Sequence, residues 1–187
     1  HYGGQLGWMH DAELLASLVK DFSKSSKLQA RVHWSFLISG AKANAFRSAL
    51  KELDVEIGDT LDVQKWRARA VGIPVGLVSL SAGGARVCLP SKAYGMMACG
   101  MAILALCPEQ SDLGCLISEN ELGWVVDTTV TSGLDAKVIQ RRFHDTVSEI
   151  IENPSELLRR RRNAWKYIGK ENSRDNEERR WQAIISP

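Results

Sequence analysis

Long hydrophobic runs are missing from this chain. None approaches the roughly 20 residues that a membrane-spanning helix needs. An excess of one charge is missing too. The 24 Lys and Arg residues against 22 Asp and Glu leave +2, too little to make nucleic acid or an anionic membrane the main partner. Cysteine is scarce and dispersed. Cys88, Cys99, Cys107 and Cys115 form no C-x-x-C pair, and His1, His10, His33 and His144 are scattered, so no closely spaced metal-ligand set is visible. Reduced, cytosolic thiols are the expectation. The opening HYGGQLGWMHD has no basic start followed by an apolar block, so no secretory leader is read from it. What is present is an ordinary globular composition, 187 residues with 44% hydrophobic and 25% charged, which suits one domain.

Residues Gly83–Gly100 (GGARVCLPSKAYGMMACG) lie between two short apolar runs, Pro74–Leu80 and Met101–Leu106. Strand, glycine-rich loop, helix and strand make a βαβ unit, which aims loop amides and a helix N-terminus at one point. Upstream, Asp11 can cap a helix over 12–22 with Leu14, Leu15, Leu18, Val19 and Phe22 on one face. Val32–Ser39 reads as a strand, and Ala41–Leu53 as a helix with Ala45, Phe46, Ala49, Leu50 and Leu53 inward. Val55–Ile57 is a short strand. Asp62 caps a helix over 63–71 that turns Val63, Trp66 and Ala70 inward.

Downstream, Ser111–Ser118 is a short helix, Gly123–Asp127 a strand and Val130–Leu134 a polar turn. Residues 135–152 repeat apolar groups with helical period. Asn153-Pro154-Ser155-Glu156 starts another helix, with a cap, a proline at the first position and an acid at the third. A last polar helix is expected at Arg174–Ile185. The alternation predicts an α/β fold, a three-layer Rossmann-like parallel sheet with helices on both faces and extra C-terminal helices. Ligands of such sheets bind outside the carboxyl ends of the strands.

Three glycine-bearing turns are expected at that edge. Gly3-Gly4-Gln5-Leu6-Gly7 resembles a phosphate loop but lacks the dinucleotide spacing; alone, it reads as a tight strand-to-helix turn. Because the chain opens with two residues and then this loop, it is expected to be a piece of a longer polypeptide. Gly40-Ala41-Lys42 brings a lysine to a helix start, where alone it reads as solvated. Ser81-Ala82-Gly83-Gly84 is followed by Arg86 and by Ser91-Lys92 at a helix N-terminus. Small residues there let a ligand reach the backbone. Arg86 can grip an oxyanion with two donors, and Lys92 acts as a point charge.

These residues carry a resemblance. Pro90–Gly100, Met101–Leu106 and Glu109–Val126 resemble the C-terminal, donor-binding domain of the B-type retaining glycosyltransferases of family four. Tyr2–Leu15 resembles the start of that domain, and Phe36–Lys42 and Pro74–Leu80 fall at matching strands. The resemblance implies that 1–187 is a single nucleotide-sugar-binding domain, the C-terminal half of a two-domain glycosyltransferase of polysaccharide or glycolipid synthesis. An N-terminal domain would hold the acceptor. The donor would be a UDP-, GDP- or ADP-sugar, bound as substrate, with no cofactor and no metal. By position, Gly3, Gly4 and Gln5 would line the diphosphate loop with Lys42 nearby. Gly83, Gly84, Cys88 and Leu89 would offer amides to phosphate and sugar, and Ser91, Lys92 and Gly95 would lie beside ribose and phosphates. Gly58–Thr60 would face the base. The fragment alone would be inactive.

The chain departs from the family pattern in places. Two glutamates seven residues apart, one for the donor sugar and one for the ribose, are replaced by Val87 and Gly95. The arginine and lysine of the first loop are replaced by Gln5 and His10. A non-catalytic nucleotide-binding or regulatory module on the same fold is therefore the alternative. A nucleotide-sugar epimerase half-domain would need several acids and a histidine facing the crevice, and an oxidoreductase would need G-x-G-x-x-G after a strand. The run Arg159–Arg162 is expected to be a mainly solvated face, since net charge is near neutral; contact with membrane phosphates is the weaker option, giving a membrane-peripheral rather than purely cytoplasmic protein. Trp34, Trp66 and Trp124 are expected in the core. Trp181 and Ile184–Ile185 are expected to pack on the missing domain.

Overall fold

A computed structural model describes residues 1–25, 27–129 and 135–171. Six parallel strands alternate with helices: β1 Tyr2–Gln5, α1 Ala12–Ser25, β2 Ser35–Ser39, α2 Ala43–Leu50, β3 Glu56–Gly58, α3 Val63–Ala70, β4 Val75–Ser79, α4 Ser91–Ala98, β5 Ala102–Cys107, α5 Asp112–Glu119, β6 Gly123–Asp127, α6 Asp135–Glu152 and α7 Pro154–Glu171. The strands pair as β1-β2-β3 and β4-β5-β6. His1 joins the two sets: its main-chain nitrogen donates to the Val75 carbonyl (2.9 Å), and its carbonyl accepts from Leu77 (2.7 Å). The strands thus lie in the order β3-β2-β1-β4-β5-β6. That order reverses direction between β1 and β4, the switch point where sheets of this kind bind ligands.

Two apolar clusters cover the two faces. On one face α1, α2 and α6 bury Leu15, Val19, Phe22, Phe46, Phe143 and Val147 against Phe36, Ile38, Leu77 and Leu104. On the other, α3, α4, α5 and α7 bury Ala70, Met96, Met97, Leu113 and Ala164 against Val78, Ile103 and Ala105. Strand alternation sorts neighbours such as Leu77 and Val78, or Leu104 and Ala105, to opposite faces. The predicted α/β three-layer fold is the one observed. Asp11 and Asp62 do cap their helices, accepting from Leu14 N (3.0 Å) and Lys65 N (2.9 Å). No described helix is long and apolar enough to cross a membrane.

The structure corrects four expectations. The expected glycine loop at Gly3–Gly7 is strand β1 as far as Gln5, because Gly3 and Gly4 pair in register with Leu37 and Ile38. In α2 the inward seam is Ala43, Phe46 and Leu50, while Ala45 and Ala49 are exposed. In α3 only Ala70 is buried, with Trp66 half-buried and Val63 exposed.

The fourth correction is the arginine run. Arg159 and Arg162 are exposed as expected, whereas Arg160 and Arg161 are half-buried and tie α7 to other elements. Arg159 pairs with Glu121 and Glu156, Arg161 donates to the Gly100 carbonyl, and Arg160 binds Glu156 and the Gly123 carbonyl with its guanidinium 4.6 Å from the centre of the Trp124 ring. Arg160→Ala is expected to cost about 1–3 kcal/mol, from a charged hydrogen bond and a cation–π contact. Arg162→Ala, at an exposed position, should stay within about 0.5 kcal/mol. Thermal unfolding of the two variants checks the contrast. The polar turn Val130–Leu134, the helix Arg174–Ile185, and Trp181 with Ile184–Ile185 lie outside the described residues.

Candidate functional site

At the carboxyl edge of β1 and β4 two loops meet. Ser81 N donates to the Met9 carbonyl (2.9 Å), and Ser79 Oγ donates to the Asp11 carbonyl (3.2 Å). Gly84 is buried against Met9 so closely that an added Cβ would lie 3.0 Å from its Cα and carbonyl carbon, and nearer still to its oxygen. A glycine is required there for the loops to touch. Gly83, its neighbour, faces open space.

Lys92, in the first turn of α4, reaches across this junction. Its ammonium donates to Tyr2 Oη (2.8 Å) and to the Gln5 carbonyl (2.9 Å), lies 3.3 Å from His10 Nε2, and sits 4.2 Å from the centre of the Tyr2 ring. His10 Nδ1 is 2.5 Å from the Ser79 carbonyl. A carbonyl can only accept, so Nδ1 carries the proton and Nε2 is free to accept from Lys92. Burial, then the Lys92 and Lys42 charges, hold the His10 pKa below the usual imidazole value against the pull of the Ser79 carbonyl. Burial likewise lowers Lys92 from 10.5 to about 8 and raises Tyr2 above the ordinary phenol.

These shifts set a pH dependence. The folded pKa of Lys92, about 8, is lower than the ordinary value of about 10.4 in an unfolded chain. Between those values the unfolded chain holds more protons, so stability rises with pH. Tyr2 reverses the trend above about pH 10, where its unfolded form ionises first. A gain on the order of 1–2 kcal/mol between pH 8 and 10 is expected in urea unfolding, and Lys92→Met should abolish it.

The helix N-termini around the crevice differ. Asp11, Asp62 and Ser111 cap α1, α3 and α5, whereas no side chain caps α2 or α4. The Asp11 carboxylate fills the anion position of α1, whereas α2 and α4 keep uncapped starts, and α4 is the one that carries Lys92 into the junction. Arg86 and Ser91 are exposed beside it, with Leu89 and half-buried Cys88 on the same loop. Lys42 Nζ donates to the His10 carbonyl (2.8 Å) and braces the first loop.

A cavity of about 210 Å³ opens from Lys92 along β1 and β2. Gly3, Gly4 and Gly95 form part of its wall, with Trp66, Leu37 and Met96; Thr60, Leu61 and Val63 close the outer end. The structure so brings Gly3, Gly4, Lys92 and Gly95 into one pocket. Gly58 ends β3 and does not line this pocket; its carbonyl is 3.4 Å from Arg47 Nη2. The Gln5 side chain is exposed, while its carbonyl holds Lys92. Trp66, expected in the core, is half-buried against the second apolar cluster and lines this cavity as well. A larger cavity of about 540 Å³ opens at the opposite, amino-terminal edge, between Trp34, Val75, Ile150 and Leu157. It holds none of the glycine turns and no helix N-terminus near the switch point, so the smaller cavity is the candidate site.

Sequence reading had not singled out Tyr2 or Trp8. The sequence places an aromatic next to the glycine pair, but only the fold shows that its hydroxyl meets a lysine 90 residues away.

No known family profile matches the chain, and no curated protein matches it. Solved structures do. One is the crystal structure of WaaG, a glycosyltransferase involved in lipopolysaccharide biosynthesis, with a TM-score of 0.64 at 12% sequence identity. The match covers 100% of this chain and 47% of that one, so the chain spans about half the length of this structural relative. The whole described α/β architecture is thus similar in fold to part of a glycosyltransferase.

Proposed function

We propose that the chain binds the nucleoside diphosphate of a sugar nucleotide at the junction of β1 and β4, as the donor-binding half of a retaining glycosyltransferase. One observation carries the reading: a cationic, amide-rich end, formed by Lys92 and the uncapped start of α4, runs directly into a mostly apolar slot of about 210 Å³. That sequence of surfaces suits a diphosphate followed by a nucleoside. The similarity in fold to a glycosyltransferase supports it.

On this reading the protein assists departure of the donor's leaving group. Negative charge grows on the diphosphate as the glycosyl bond breaks. The α4 amides, the Lys92 ammonium and Arg86 would stabilise that charge. Lys42 keeps the first loop in position through the His10 carbonyl. Trp8 (78% exposed), Met9, Val87 and Leu89 form an apolar rim around the crevice, which supports a second domain, carrying the acceptor, closing over it. Val87 is 73% exposed and has no acid to offer a sugar; this favours, as the second reading, a module that binds the nucleotide without transfer.

Calorimetric titration with UDP, GDP, ADP and their sugar conjugates tests the proposal. Saturable binding of one nucleoside diphosphate, with the sugar conjugate bound at least as well, is the expected result. Binding of the free diphosphate with rejection of every sugar conjugate would favour the non-catalytic module, and no binding to folded protein would overturn both.

A further inference from the structure

We infer that the slot beside Lys92 holds the base by stacking on Trp66 and leaves the ribose hydroxyls unread. The inference rests on the nucleotide-binding reading above. Trp66 runs along the slot between two glycines. A Cβ on Gly3 would lie 2.8 Å from its Nε1, and a Cβ on Gly95 would lie 3.9 Å from the benzo carbons at its other end. The bare backbone at both positions leaves room for the indole between β1 and α4, where it forms part of the slot's wall. Any longer side chain at position 95 would start against that ring.

A vicinal diol is held by groups that accept its protons, typically a carboxylate. Among the residues lining the slot, the Thr60 hydroxyl is the one side-chain oxygen. The two nitrogen-bearing side chains, Trp66 and Lys92, donate and have no acceptor to offer a hydroxyl, and Trp66 Nε1 is engaged with His1 Nε2 (3.1 Å). The rest of the wall is glycine, leucine, valine and methionine. Such a surface rewards a flat aromatic ring, since base–aromatic stacking does not depend on hydroxyl recognition. The ligand class is a nucleoside diphosphate selected by its base and its phosphates, with ribose and deoxyribose accepted alike.

The test titrates the protein with UDP, GDP and ADP, with their 2′-deoxy counterparts, and with inorganic pyrophosphate. The expected result is a deoxy form bound within about threefold of the ribo form. Trp66→Leu should weaken the nucleotide by about tenfold or more while leaving pyrophosphate affinity unchanged, and Trp66→Phe should retain most of the nucleotide affinity. The Phe variant keeps the inference testable if the Leu variant fails to fold. A tenfold preference for the ribo form, or nucleotide affinity unchanged in Trp66→Leu, would overturn the inference and leave the function standing. Absence of binding to every nucleotide would overturn both.

Discussion

Lys92→Met is expected to weaken nucleoside diphosphate binding by about tenfold to a hundredfold without loss of stability at pH 7. The first part follows from geometry. The ammonium sits in the first turn of α4, where the helix amides are uncapped, and a charge-assisted contact to phosphate is worth about 1.5–3 kcal/mol. The second part follows from burial. The protein surroundings pull Lys92 down to about 8, so holding the charge there costs stability. Methionine keeps the aliphatic stem and removes that cost. Against it stands the loss of donors to Tyr2 Oη and the Gln5 carbonyl; Tyr2 already donates to the same carbonyl (3.3 Å). A binding residue held at the expense of stability shows opposite signs in the two readouts. If Lys92 were only a strut between α4 and β1, its removal would lower the unfolding midpoint and leave diphosphate affinity of the folded fraction unchanged. Urea unfolding and calorimetry on the same variant separate these.

Gly84→Ala should be the most damaging single methyl in the loop, and Gly83→Ala nearly silent. An alanine Cβ at 84 would press into the Met9 backbone, and main chain cannot swing aside as a flexible side chain can. The two loops must part, which costs about 3 kcal/mol or more by the overpacking rule. Parting them also withdraws Ser81 from Met9 and tilts the start of α4 away from the switch point, so diphosphate affinity should fall with stability. At Gly83 nothing lies within 4 Å of the added carbon, and its φ of −69° is open to any residue. A change within about 0.5 kcal/mol is expected there. Comparing midpoints of the adjacent variants checks the loop contact independently of any ligand.

From β2 onward the strand and helix order was legible because most of the strands read as short apolar runs and most helices as a 3.6-residue repeat. Three of the helix starts, at Asp11, Asp62 and Asn153, were legible from their capping residues. What escaped was the partner of each surface. The arginines at 159–161 look alike in the sequence, yet their roles depend on carbonyls at Gly100 and Gly123 delivered by other elements. Trp66 has the spacing of a core residue; it packs at the margin of the second apolar cluster and also lines the slot, between Gly3 and Gly95. Gly3 and Gly4 were read as a loop because glycine pairs usually make turns. Here they are strand residues, with Gly4 at φ 103° and Gly3 leaving room for an indole. Of the candidate site, the helix start at Ser91-Lys92 could be found by pattern, whereas the three partners of the Lys92 ammonium come from residues 2, 5 and 10, brought near only by the β1–β4 crossover.

The most direct test of the central claim is amide chemical-shift mapping of the ¹⁵N-labelled protein during titration with UDP, GDP and ADP. The account predicts that the largest changes fall on Gly4–Leu6, Gly83–Leu89 and Ser91–Lys92, with Trp66 Nε1–H moving as the base enters. Changes centred instead on Trp34, Val75 and Ile150, around the larger cavity at the amino-terminal edge of the sheet, would contradict it.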